Sequence, residues 1–226
     1  MRPLISRAFV VIVSGDFNSN LEGRLHSMNT RTAVIFFVLL LAPSAHAGDD
    51  KPSKVPLERG VIYSWSEGGS PGIKIEALVM MLGKNGARTI IARRTDGKDL
   101  DDRGTFVMNP KVLAKSRSLR TAFKTNAYEE LSDETAFWLS KETWSALKKG
   151  KTAPLAIEGC PSKEVGKATP STIRIGTSGP IAVIEATTDD GRKLVVLDDP
   201  KNPLVVRLDG DKKLELTGSS SVELPQ

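Results

Sequence analysis

The sequence predicts a β-dominated α+β domain, a mostly antiparallel twisted sheet or partial barrel with one or two short helices. Three observations predict it. Short runs alternate apolar with polar residues, as from Val61 to Ser66, the period of a half-buried strand. Turn signals such as Asn85-Gly86 and Asp190-Gly191 punctuate those runs. Only the stretch after Ser140 combines a helix cap, helical spacing and a stop signal. Runs of strands with few helices between them place the chain in the α+β class. No period of 20–50 residues repeats, and residues 58–218 read as one domain.

The elements follow in order. Residues 48–57 are polar, carry Pro52 and Pro56, and read as a linker. Val61, Tyr63 and Trp65 share one face of the first strand. Glu67 to Gly72 is a turn. Ile73 to Leu82 is the next strand, with Ile73, Ile75, Ala77, Val79 and Met81 on one face. Asn85-Gly86 suits a type I′ hairpin, and Arg88 to Arg94 returns as the paired strand. Asp96 to Gly104 reads as a charged loop and Thr105 to Met108 as a short strand. Asn109-Pro110 supplies a cap and a first-turn proline for a brief helix through Val112 and Leu113. Leu119 to Lys124 is a further strand candidate, and Thr135 to Leu139 is strongly apolar.

Ser140 caps a helix that runs to Lys149. Trp144 and Leu147 share its buried face by their i, i+3 spacing. Lys148 and Lys149 suit the negative end of the helix dipole, and Gly150 stops it. The last third is a run of hairpins. Ile173 and Ile175 alternate; Ile181–Thr188 and Lys193–Leu197 flank one turn; Leu204–Leu208 and Lys213–Thr217 flank another. About nine strands result. Gly218 ends the last, and residues 219–226 read as a flexible tail.

Ahead of this domain lies an export signal. Met28, a second candidate start, precedes the basic Asn29-Thr30-Arg31 and an apolar run from Ala33 to Ala42. Ala45-His46-Ala47 then offers an Ala-x-Ala exit, which completes a secretory signal peptide. The run is too short to span a bilayer, which needs about 20 apolar residues. Residues 1–47 are therefore read as leader, with cleavage before Gly48 and a periplasmic or secreted mature chain that has no transmembrane anchor. Cleavage lowers the net charge from +5 to +3, because four arginines and two acids leave with the leader. So small a basic residual, spread along the chain, is no nucleic-acid footprint.

Cleavage also removes His26 and His46, the only histidines, and Cys160 is the only cysteine. A Cys/His zinc site cannot be assembled from these residues, and a serine or cysteine nucleophile lacks its usual base. No metal and no cofactor are expected. Cys160 reads as a buried or tolerated thiol.

Motif matches are weak on chemical grounds. Gly68-Gly69-Ser70-Pro71-Gly72 fits G-x-S-x-G, but Pro71 has no N–H to give an oxyanion hole, and the turn joins two strands. Ser145 and Lys148 have S-x-x-K spacing without the S-D-N and K-T-G partners. Gly150-Lys151-Thr152 has Ser145 where the first P-loop glycine belongs. Asp99 to Gly104 begins like a calcium loop, yet its fifth position is Arg103 and its twelfth is Pro110. Carboxylate pairs remain: Asp189-Asp190 and Asp198-Asp199, both at turns where Asp serves local structure.

Two stretches, Leu131–Ser140 (with Phe137-Trp138) and Val196–Leu204 (with Asp198-Asp199-Pro200), resemble segments of uncharacterised β-rich modules of Gram-negative envelopes. Some such modules stand ahead of peptidoglycan-binding domains like that of outer membrane protein A. The resemblance implies a periplasmic site and transfers no catalytic residue. The expected function is an exported, non-catalytic binding or structural module whose partner is an envelope component: protein, lipid or peptidoglycan. Trp65, Trp138 and Trp144 are its candidate ligand-binding residues, with a core wedge as the competing role. The alternatives are a His-independent carboxylate hydrolase and a carrier of apolar ligands. Two close carboxylates in a deep pocket would mark the hydrolase, and a large dry cavity between sheet and helix the carrier.

Overall fold

A computed structural model describes residues 52–68, 72–210 and 213–224. The leader, the start at Met28, the exit sequence ending at Ala47 and the first part of the 48–57 linker lie outside the described residues. So do Gly69, Ser70 and Pro71 of the G-x-S-x-G match. Among the described residues no helix is long and apolar enough to cross a membrane.

Four strands open the domain as an antiparallel meander: β1 (Val61–Glu67), β2 (Lys74–Leu82), β3 (Arg88–Thr95) and β4 (Asp101–Met108). The chain then crosses one face through α1 (Pro110–Lys115) and β5 (Ser118–Arg120), and β6 (Ala127–Leu131) returns parallel to β4. Next come β7 (Thr135–Ala136), α2 (Lys141–Lys148), β8 (Ala153–Pro154) and β9 (Ala156–Ile157). A second antiparallel meander follows: β10 (Glu164–Ile173), β11 (Ile181–Thr188), β12 (Lys193–Leu197), β13 (Val205–Leu208) and β14 (Leu214–Ser221). Because β14 pairs with β1, the two meanders merge into one open sheet of 11 strands, ordered β6-β4-β3-β2-β1-β14-β13-β12-β11-β10-β8. A small parallel sheet, β7-β5-β9, packs with the helices on its inner face.

The alternation read from the sequence selects that face. Val61, Tyr63 and Trp65 of β1, Ile75, Ala77 and Val79 of β2, and Ile90 and Ala92 of β3 all point inward and are buried. Their outward neighbours are half-buried, as a one-sided sheet requires. Asn109 caps α1 by accepting the Val112 N–H, and Ser140 caps α2 by accepting the Thr143 N–H.

Several expectations need correction. Met81 does not join the buried face of β2: a register shift after Val79 turns it outward, 62% exposed. The turn before β3 is not type I′, which needs two positive φ values. Gly86 alone is left-handed, at φ 91°, after a turn closed by its N–H on Gly83 C=O, and the Asn85 side chain accepts the Ala87 N–H. Asp101 to Gly104 belongs to β4 and not to a loop, since Asp101 lies opposite Thr95 and Arg103 opposite Arg93. The final strand does not stop at Gly218: Ser219, Ser220 and Ser221 pair with Tyr63, Ile62 and Val61, so the tail is shorter than 219–226. The end of the linker is also packed. Ser53 N–H donates to Pro180 O at 2.7 Å, and Val55 and Leu57 rest on the core.

A ligand-sized recess above a buried arginine

The three tryptophans part company. Trp65 and Trp138 are both 0% exposed. Trp65 stacks on Phe137 with centroids 5.1 Å apart, and its indole N–H donates to Val205 O at 2.9 Å. Trp138 meets the edge of Tyr63 at 5.6 Å. These rings, with Phe106, are the wedge between sheet and helices, so neither indole presents a ligand-facing wall. Phe137 enters the wedge with a left-handed backbone, φ 62°. Its N–H donates to Arg120 O at 3.1 Å and its C=O accepts Val205 N–H at 2.8 Å, which holds the uncommon conformation from both sides. Trp144 packs against the core as a half-buried side chain, and its indole N–H donates to Leu197 O at 3.1 Å.

The stretches Leu131–Ser140 and Val196–Leu204 meet at this wedge. Trp138 bridges to Leu204, and its indole N–H donates to Asn202 Oδ1 at 2.7 Å. Asn202 is 1% exposed. Its amide donates to Val55 O at 3.2 Å and to the Tyr63 hydroxyl at 3.4 Å, and Tyr63 in turn donates to Pro56 O. One amide thus fastens the incoming chain to both aromatic rings. Burial, the largest influence, pushes the Tyr63 phenol up to about 12.

Arg88 lies on the other side of Trp138, with its guanidinium carbon 5.1 Å from the ring centroid. It is only 6% exposed. Its Nη2 donates to Lys201 O at 2.9 Å, while its buried Nη1 has no hydrogen-bond partner among the described residues. No carboxylate pairs with it; Tyr63 and Asp199 act on it only through space. Burial therefore dominates and lowers its pKa to about 10, which leaves it protonated at neutral pH.

Above Arg88 is a recess of about 360 Å³. The end of β2 supplies Leu82 and the β2–β3 turn Lys84, α1 supplies Pro110 and Leu113, and Leu139 and Lys141 flank the Ser140 cap of α2. Lys201 and Pro203 close it beside Leu57. Its charged lining is Lys84, Arg88, Lys141 and Lys201, and no carboxylate lines it. The three lysines are exposed. Like charges gathered round a partly apolar depression raise the local concentration of anions.

The other sequence candidates are occupied by local structure. Asp198 bonds Lys148 Nζ at 2.5 Å, which also removes Lys148 from any partnership with Ser145. Asp199 Oδ1 accepts Lys201 N–H at 2.8 Å within its own turn. Asp189 accepts the Lys163 N–H, and Asp190 pairs with Arg192 at 2.9 Å. Asp101, in the calcium-like stretch, is clamped by Arg93 at 2.7 Å and Arg103 at 2.8 Å; hydrogen bonds from Arg103 and Arg93 lower its pKa to about 2. The Cys160 thiol is half-buried and accepts from Arg192 at 3.1 Å.

Arg88 and Asn202 escaped the reading of the sequence. Arg88 had a signal: it shares strand parity with Ile90 and Ala92 and so had to point inward. Asn202 had none beyond its turn-rich surroundings. No protein-family model, no curated protein and no solved structure matches the chain.

Proposed function

We propose that the mature chain is an exported, non-catalytic binding module of a bacterial cell envelope, and that it takes its ligand in the recess above Arg88. The observation that carries this reading is the recess itself, where four cationic side chains converge on partly apolar walls with no acid among them. The export signal and the two envelope-like stretches support the compartment. Engagement of Asp198, Asp190 and Asp101 by neighbouring cations weighs against a carboxylate hydrolase. The filled aromatic wedge weighs against a carrier with its cavity between sheet and helix.

The test is fractionation of a Gram-negative host expressing the full chain. The protein should appear in the periplasm with Gly48 at its N-terminus. It should also be retained on envelope material, and changing Lys84, Lys141 and Lys201 together to Ala should release it. Retention that ignores these substitutions would move the site elsewhere, and exported protein that keeps residues 1–47 would defeat the compartment reading.

A further inference from the structure

We infer that the recess is an oxyanion site and that its ligand is a phosphate monoester carried on an apolar body. This rests on the reading that the recess is the binding site, and it adds the chemical class of what enters. The guanidinium of Arg88 is buried and protonated, its Nη1 has no hydrogen-bond partner among the described residues, and Asp199 reaches it only through space, so its charge lacks a direct counter-ion there. A buried charge of that kind is costly unless something of opposite sign approaches it. Arg88 lines the recess, whose rim adds Lys84, Lys141 and Lys201.

Four cations without an acid match more than one negative charge. A phosphate monoester brings between one and two charges near neutral pH and three acceptor oxygens. A carboxylate brings one charge and two oxygens. Lysine ammoniums are point charges with rotatable donors, able to follow a tetrahedral phosphoryl group. Beside Asn85 and the turn glycines, the remaining walls are aliphatic, from Leu57, Leu82, Leu113 and Leu139 with two prolines, so a bare inorganic ion would leave most of them unused. A phosphoryl group with a short apolar chain fills both halves. Its source can be a soluble phosphate ester or a lipid headgroup, since the recess sees the same chemistry in each.

The experiment uses the exported protein purified from the periplasm. Binding of hexyl phosphate, hexanoate and inorganic phosphate is measured by calorimetry at constant ionic strength, with thermal melting alongside. Flotation with vesicles of phosphatidic acid or of phosphatidylcholine separates a membrane-borne from a soluble source. Hexyl phosphate should bind at least ten-fold more tightly than either hexanoate or inorganic phosphate. Changing Lys84, Lys141 and Lys201 together to Glu should weaken it at least ten-fold. All three lysines are exposed, and Glu suits the first turn of α2, so that variant should melt as the parent does. It also removes the general stabilisation by phosphate salts from the comparison, because exclusion from the surface would act on both proteins alike. Arg88→Met should weaken binding as well; should it fail to fold, the lysine variant still decides.

Equal binding of hexyl phosphate and hexanoate, or binding indifferent to the lysine reversal, would overturn the inference. An uncharged envelope component held in the recess would overturn it too, yet leave the binding module standing. No binding, together with envelope retention untouched by the recess substitutions, would remove both.

Discussion

Two arginines among the described residues lie over aromatic rings, and only one of them is ion-paired to carboxylates there. Arg120 sits 5.9 Å from the Phe106 centroid and reaches Glu129 at 2.6 Å and Glu134 at 2.5 Å. Burial works to lower its pKa, but the two carboxylates outweigh that and hold it above its ordinary range. Arg88 sits over Trp138, is more deeply buried, and among the described residues hydrogen-bonds to one backbone carbonyl, with Asp199 acting on it only through space. Arg120 ties β5 to β6 and to the turn before β7, and so fastens the parallel crossover under the sheet. Arg88 closes no comparable link. A paired arginine is explained by the fold it joins, whereas an unpaired one points toward something outside the chain.

The largest expected effects concern the rings. Trp138→Ala should cost about 3–5 kcal/mol in urea unfolding, the range for a buried large aromatic. It removes the wedge and also leaves Asn202 Oδ1 without its donor. Phe106→Ala, under Arg120, should cost a similar amount. Should either ring prove removable for less than about 1 kcal/mol, that end of the core is looser than its burial indicates.

The arginines themselves should then separate. Arg120→Met leaves Glu129 and Glu134 facing each other without a cation, and should cost about 1–3 kcal/mol, less than for a fully buried triad because the three side chains are each about a fifth exposed. Arg88→Met keeps the stem against Trp138 and discards an uncompensated charge, so stability should change by less than about 1 kcal/mol or rise. If Arg88→Met destabilises as much as Arg120→Met, then Arg88 is a staple through Lys201 and the contrast collapses.

What could be read beforehand follows the range of the forces involved. Alternation set the inner face of β1, β2 and β3, because one-sided burial imposes period 2 on the chain itself. The caps Asn109 and Ser140 were legible because they act within three residues. β6 was missed: its pairing with β4 is parallel and arrives through a crossover, so no tight turn announces it, and Glu129-Glu130 dilute its apolar pattern. Most of β10 was missed because Gly166, Lys167 at φ 49° and Pro170 break the pattern. Bulges and proline are what a sheet places on its exposed edges, and they hide the strand from a periodicity search. The recess was invisible for a further reason. Its four cations come from positions 84, 88, 141 and 201, and only the folded chain brings them together.

A smaller effect sharpens the division among the tryptophans. Trp144 is half-buried and keeps one bond to Leu197 O. Trp144→Ala should cost about 1–2 kcal/mol, well below Trp138→Ala, since less area leaves water and one hydrogen bond is lost. Equal costs at the two sites would mean that α2 packs more tightly than the exposure of Trp144 suggests.

The finest distinction lies in the alkaline limb of stability, where Tyr63 and Arg88 pull in opposite directions. Tyr63 keeps its proton in the folded state until about 12, while the unfolded chain gives it up near its ordinary value of 10.0. Its contribution is therefore complete below pH 10 and is lost as pH climbs from 10 to 12. Arg88 is the reverse. Its folded-state value is depressed to about 10, so the folded protein releases that proton while the unfolded chain still holds it. The penalty for its buried charge is present in full below pH 10 and is relieved above it. Lysine titration is common to the parent and both variants, so differences among their curves report this pair, whose members also act on each other through space in the sense that reinforces each change. Tyr63→Phe should flatten the fall in melting temperature between pH 10 and 12, and Arg88→Met should steepen it. Parallel curves for all three proteins would show that neither group changes its proton affinity on folding. Arg88 would then have access to water, and the recess above it would no longer sit over an uncompensated charge.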